Sequence, residues 1–244
     1  MLVKSEGIII STIRFSETGI IAKIFTNSHG ILSFYVKGVY GRNAALKPSY
    51  FFPMTLVALD FYYYPNKNLL KIKELRPLIF TLSLDWNTTK SPLLVIVAEL
   101  INRCVKEVEK NEPLFDFLRN FINLINTEKP DKNPNLLVFF MVHLSQYLGF
   151  FPQNNFSDQK CIFDLKSGNF VENELDSAFC LSPSESKWLS VILHSDIINS
   201  DKYILPGEIR KNLINHLIIY YQIHIEGFKG LRSLEIYRKV FDSQ

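Results

Sequence analysis

The rhythm of apolar and polar positions changes once along the chain, just before residue 80. Up to there, short runs rich in Ile, Val, Thr and aromatic residues alternate with turn formers: Leu2–Ile13, Ile20–Thr26, Ile31–Lys37, Pro53–Tyr63 and Leu69–Leu75. Asn27-Ser28-His29-Gly30 separates the second run from the third and predicts a hairpin. Pro65-Asn66-Lys67-Asn68 predicts a second turn, and Gly38-Val39-Tyr40-Gly41-Arg42-Asn43 a basic loop. Five strands in about eighty residues predict a small antiparallel barrel, and the five-stranded barrel most used for nucleic acid is the OB-fold.

Beyond Arg76-Pro77 the spacing becomes helical. Ser91-Pro92 reads as an N-cap followed by a first-turn proline and opens Leu93–Val108; Pro113 opens Leu114–Asn126. The polar break Lys129–Pro134 precedes Asn135–Leu148, with Gly149 as C-cap and Pro152 beyond it. Ser182-Pro183-Ser184-Glu185 has capping-box spacing and opens Ser184–His194. Glu208–Glu226 repeats Leu213, Leu217, Tyr221 and Ile225 at steps of four, a buried stripe ended by Gly227. A short helix over Ser233–Phe241 closes the set. Between the helices, Phe150–Leu181 is irregular, with a small hairpin expected around Lys166-Ser167-Gly168. The expected protein is α+β: a five-stranded antiparallel OB-fold barrel over residues 1–78, then a helical bundle over 79–244 with a small irregular or β-hairpin insertion at about 150–182.

Composition adds limits. With 244 residues and 47% hydrophobic content the chain can bury a sizeable core. Its apolar runs fall well short of the ~18 residues of a membrane helix. Its first residues lack the plan of a signal peptide, so a cytoplasmic protein is expected. The three cysteines, Cys104, Cys161 and Cys180, form no CxxC pair and read as buried free thiols. Net charge is +3, but residues 1–80 carry ten Lys/Arg against four acids, which leaves the remainder net negative. A basic front and an acidic rear suggest different partners for the two parts.

Signatures of catalysis are missing from the sequence. Neither GxxxxGK[ST] nor GxGxxG occurs, nor HExxH, nor a G-x-S-x-G elbow. His216 and His224 lie eight apart and read as partly exposed helix residues. A non-enzymatic protein without cofactor or metal is expected. The positive signal is cations among aromatics, the combination that holds phosphates and stacks bases. Candidate contacts are Lys23, Lys37, Arg42, Lys47, Lys71, Lys73, Arg76 and Tyr40, with Lys37, Arg42 and Lys47 foremost. Lys71 and Lys73 flank Ile72 and are expected on one strand face. Phe51, Phe52 and Phe61 read better as core. Farther on, Arg103, Arg119, Lys229, Arg232 and Arg238 are candidate contacts for an acidic protein tail or DNA.

Several stretches are similar to the bacterial DNA repair protein RecO family. Gly7-Ile8-Ile9-Ile10-Ser11-Thr12-Ile13-Arg14-Phe15-Ser16-Glu17-Thr18 resembles its opening strand and turn. Ile24-Phe25-Thr26, His29-Gly30 and Val36-Lys37-Gly38 follow its spacing, and Tyr147-Leu148-Gly149-Phe150 and Gly230-Leu231-Arg232-Ser233-Leu234-Glu235 resemble its rear motifs. The resemblance implies a recombination mediator that binds single- and double-stranded DNA and anneals complementary strands. Its implied partners are RecR and the acidic C-terminal tail of single-strand-binding protein, and it helps load RecA in the bacterial cytoplasm, near the nucleoid. Zinc-bearing relatives carry two CxxC pairs in the insertion. Here Cys161 and Cys180 stand alone, so a degenerate zinc-finger-like region without metal is expected. The alternative is an OB-fold module for RNA or ribosomes without a DNA repair role.

Overall fold

A computed structural model describes residues 1–41, 44–79, 89–105, 109–127, 133–173 and 176–241. The chain divides into two compact units, Met1–Thr127 and Glu128–Gln244.

The first unit is built on five strands: β1 (Leu2–Arg14), β2 (Ile20–Thr26), β3 (Gly30–Val36), β4 (Leu56–Tyr62) and β5 (Leu70–Ile79). They close into a barrel in the order β1-β2-β3-β5-β4. β1 reaches both neighbours because it is long. Residues 2–8 pair with β4, and residues 7–14 pair with β2 across a bulge between Ile9 and Ser11. A bulge bends and twists its strand, which is what lets one strand serve two walls. Gly7 sits where the two ladders overlap, and a Cβ there would lie 2.6 Å from Ile24 Cγ2. The barrel closes through a short parallel contact, Phe34 with Leu70 and Tyr35 with Lys71; the other pairings are antiparallel. Alternate residues point inward and fill it: Ile9, Ala22, Ile24, Phe34, Val57, Leu59 and Phe61 are buried, with Phe34 and Phe61 edge to face at 5.2 Å.

Two helices belong to the same unit, α1 (Lys90–Cys104) and α2 (Glu112–Thr127). Phe115 of α2 lies 5.7 Å from Phe25 of β2, ring to ring. The start of α1 differs from the expectation. Ser91 is inside the helix and Thr89 precedes it. Pro92 is tolerated there because first-turn N–H groups have no acceptor within the helix. At α2 the Asn111 side chain accepts the Leu114 N–H at 3.1 Å and caps the turn. β5 also runs on past Pro77 to Ile79, two residues beyond the expected change to helix. Arg42, Val108 and most of the break at Lys129–Pro134 lie outside the described residues.

The second unit holds α3 (Leu136–Tyr147), the hairpin β6 (Ile162–Asp164) and β7 (Asn169–Val171), α4 (Pro183–Leu193), α5 (Gly207–His224) and α6 (Leu234–Phe241). α3 is apolar on nearly every side, and Leu136 through Val142 are all buried, so it is the central helix of this unit. Gly149, with φ +84°, ends the segment as the sequence expects. The capping box of α4 forms, with Ser182 Oγ accepting from Glu185 N and the Glu185 carboxylate accepting from Ser182 N at 2.9 Å. Leu213, Leu217 and Tyr221 line the buried side of α5, and Tyr221 Oη donates to the Met141 carbonyl of α3 at 2.7 Å. Among the described residues, no helix is long and apolar enough to cross a membrane.

Candidate nucleic-acid interface

An open groove of about 1010 Å³ runs over the outer face of β1, β4 and β5. Five cations line it: Lys4, Lys37, Lys73, Arg76 and Arg119. Three acids lie among them, Glu6, Asp60 and Glu74. Their pairing sorts the cations into two groups. Lys4 stands 3.9 Å from Asp60, and Arg119 bridges Glu6 at 3.3 Å and Asp116 at 2.8 Å. Lys37, Lys73 and Arg76 are exposed and meet no carboxylate at ion-pair distance among the described residues. Unpaired cations on an open surface give up little to meet a phosphate. A cation already bridging two carboxylates must first exchange them.

Strand geometry explains these positions. The β4–β5 register slips between Asp60 and Phe61: Phe61 faces Ile72 and Asp60 faces Glu74, so Lys73 is the extra residue of a bulge. The simple alternation that would put Lys71 and Lys73 on one face is broken there. Lys73 and Glu74 are both exposed, and the two lysines line different clefts. Lys71 belongs to a smaller cleft of about 330 Å³ with Tyr35, Lys37 and Ile72, at the short β3–β5 closure. Lys37, one residue past β3, lines both, as does Leu46, which packs against the barrel core.

The remaining front candidates fall in different places. Lys47 is exposed just before the short 3-10 helix Pro48–Phe51. Tyr40 is 52% exposed, with the Arg14 guanidinium 5.3 Å from its ring centre. Lys23 is turned to the helices: half-buried, its ammonium donates to Asn102 Oδ1 of α1 at 2.9 Å. Phe51 and Phe61 are core residues, 3% and 0% exposed, while Phe52 is half-buried. Sequence reasoning passed over Lys4 in the groove and Arg14 at the barrel end. The first had a signal, since Lys4 and Glu6 share one strand face at i, i+2. The second needed the three-dimensional approach of two loops.

The rear candidates also divide. Arg103 is held by Glu99 one helical turn away, at 2.7 Å. Arg119 is the groove residue already described. Lys229 and Arg232 are exposed, and Arg238 donates to Asn215 Oδ1. In the insertion, Cys161 is half-exposed and Cys180 is buried in a backbone bridge to Asp164. Burial pushes the Cys104 thiol up to about 12, so it is a packing residue and not a nucleophile. Among the described residues no three His, Cys, Asp or Glu side chains converge as a metal site. The Asp164 carboxylate accepts the Ser167 N–H at 2.9 Å and closes the hairpin turn.

Residues 1–79 match the family model described as Recombination protein O N terminal, and residues 89–235 match that described as Recombination protein O C terminal. The DNA repair protein RecO of Flavobacterium johnsoniae is 30% identical over 99% of this chain and the whole of its own length. Those of Azobacteroides pseudotrichonymphae and Phocaeicola vulgatus are 28% and 27% identical with the same coverage. The barrel, the helical remainder and these matches along the full length agree: the chain belongs to the RecO family of DNA repair proteins.

Proposed function

We propose that this protein is a recombination mediator that holds DNA strands by their phosphates in the barrel groove and anneals complementary strands. One observation carries the reading: Lys37, Lys73 and Arg76 stand exposed along one groove of an OB-type barrel, with no carboxylate at ion-pair distance among the described residues. Phosphate contacts carry no sequence information, so binding is sequence-tolerant and falls steeply with salt. Annealing follows from charge neutralisation, because two polyanions approach most easily on a surface that screens their repulsion. Lys47 and Lys71 extend the cationic surface beyond the groove. Lys23 contributes less, being committed to Asn102.

The reading extends to partners. Lys229 and Arg232, exposed just before α6, meet the acidic tail of single-strand-binding protein, and RecR and RecA join in the loading step. The protein works in the bacterial cytoplasm, at the nucleoid, without catalysing a reaction and without a cofactor.

The test is a salt-titrated strand-binding and annealing assay with the triple variant Lys37→Glu, Lys73→Glu, Arg76→Glu. Affinity at low salt should drop on the order of 100-fold, and the slope of log K against log salt should flatten by about 2. Matched RNA strands run in parallel separate this reading from an RNA-binding module. Wild-type affinity and annealing in the triple variant would remove the groove from the mechanism.

A further inference from the structure

The end of the barrel beside the smaller cleft carries a feature that phosphate binding does not use. Ile13, Phe15 and Tyr40 are 60%, 59% and 52% exposed, large apolar side chains left in water. They are not loose. Phe15 meets Tyr35 edge to face at 5.6 Å. The turn that carries Phe15 is fixed by its own bonds: Phe15 N and Ser16 N both donate to the Gly19 carbonyl, and Ser16 Oγ accepts from Gly19 N at 2.9 Å. Arg14 donates to the Glu17 carbonyl at 3.0 Å while its guanidinium lies over the Tyr40 ring. Tyr40 N donates to the Thr18 carbonyl at 3.2 Å, so the loop after β3 is tied to the turn between β1 and β2.

The strand register continues this surface around the barrel. Ile13 faces Ile21, Ile21 faces Tyr35, Tyr35 faces Lys71, and Lys71 faces Tyr62. Directly opposed residues share a sheet face. All five are exposed or half-buried, so the row lies outside the core. At ~4.8 Å between strands it spans roughly 19 Å, room for a few nucleotides. Lys71 sits within the row, and Lys37 shares its cleft with Tyr35 and Lys71.

We propose that Phe15, Tyr35 and Tyr40 form a stacking platform for unpaired nucleobases, with Arg14, Lys37 and Lys71 holding the adjoining phosphates. The inference rests on the DNA-binding reading and adds to it a preference for single strands. Bases within a duplex are stacked on each other and cannot use such rings. Unpaired bases can, and flat aromatic faces accept any of the four. The cations beside the rings favour a nucleic-acid occupant over an apolar protein surface.

The experiment compares a thymidine oligonucleotide with an abasic phosphodiester of equal length and charge. It uses the wild type, Phe15→Ala with Tyr40→Ala, and Phe15→Trp. The wild type should bind the thymidine strand about tenfold more tightly than the abasic one. The double alanine variant should bind the two strands equally, losing that difference, and Phe15→Trp should keep it. Equal wild-type affinity for the two strands overturns the platform and leaves phosphate binding standing. Failure of the wild type to bind either strand overturns both. A double variant that weakens both strands alike shows that the rings only support the loops, and this too overturns the platform.

Discussion

Two polar regions of this protein make opposite use of their side chains. In the barrel groove, Lys37, Lys73 and Arg76 reach outward with no carboxylate partner among the described residues. In the rear hairpin, polar side chains turn inward and bind the protein's own backbone. Asn155 accepts the Phe170 N–H at 2.8 Å and donates to the Phe170 carbonyl at 3.0 Å. Asp164 accepts from Ser167 N, and Ser186 Oγ accepts from Phe163 N at 2.8 Å. A buried polar group must find its partners inside, whereas an exposed cation can keep its bonds for a ligand. Unspent donors mark a binding surface, and spent ones mark structure.

The sharpest way to break this contrast is to damage the hairpin core. Phe163 is 1% exposed and packs on Phe170 at 5.0 Å and Tyr220 at 5.9 Å. Phe163→Ala removes most of that contact and leaves a cavity, which should lower stability by about 3–5 kcal/mol, read as a shift of the urea unfolding curve. Strand binding at low denaturant should stay at the wild-type level. The groove triple variant is the mirror case: binding falls, but the unfolding midpoint holds, because its side chains are exposed and, among the described residues, meet no carboxylate. A hairpin variant that lost binding in proportion to stability would show that the two regions do not divide the work.

A smaller effect isolates the polar part of the hairpin. Asn155→Ala strands the Phe170 N–H and carbonyl together. Each unsatisfied group costs about 1–3 kcal/mol unless water reaches it, so a total near ~2 kcal/mol is expected from urea titration. Asn155→Asp is the informative companion. It keeps the acceptor for Phe170 N but loses the donor to Phe170 O, and should fall between wild type and alanine.

Much of this arrangement was legible in the sequence because it rests on local rules. Strand alternation, the Asn27–Gly30 turn, the capping box at Ser182 and the φ-demanding Gly149 each depend on a few neighbouring residues. The hairpin at Lys166-Ser167-Gly168 was legible for the same reason. What escaped was set by distance and register. The bulge at Lys73 arises from how β5 meets β4, and no pattern within β5 announces it. Lys23 looks like any strand lysine until α1 brings Asn102 to it, 79 residues later. Arg14 and Phe15 belong to the quoted family motif, but their role beside Tyr40 and Tyr35 depends on two loops folding together. The sequence thus carries the sign of each side chain, while the division into free and committed cations depends on the folded chain.

The smallest predicted effect separates the two regions by pH. His143 of α3 is half-buried, and among the described residues its Nε2 meets no hydrogen-bond partner. Burial holds its pKa below the usual histidine value, opposed by a hydrogen bond with the Ser195 backbone and the nearby charge of Asp196. A histidine depressed in the folded state binds its proton more readily when unfolded. Stability therefore rises with pH through this range, is fully present above the unfolded pKa of ~6.5, and is lost as pH falls toward the folded value. The urea midpoint of the wild type should drop between pH 7.5 and 5.5. His143→Gln, which has no titrating group, should flatten that slope even if it lowers the midpoint at pH 7.5. Among the described residues no histidine lines the groove, so strand affinity should not follow the same curve. If affinity tracked the His143 titration, the phosphate-holding surface would depend on the rear unit's stability, and the contrast between free and committed side chains would need a link between the units to explain it.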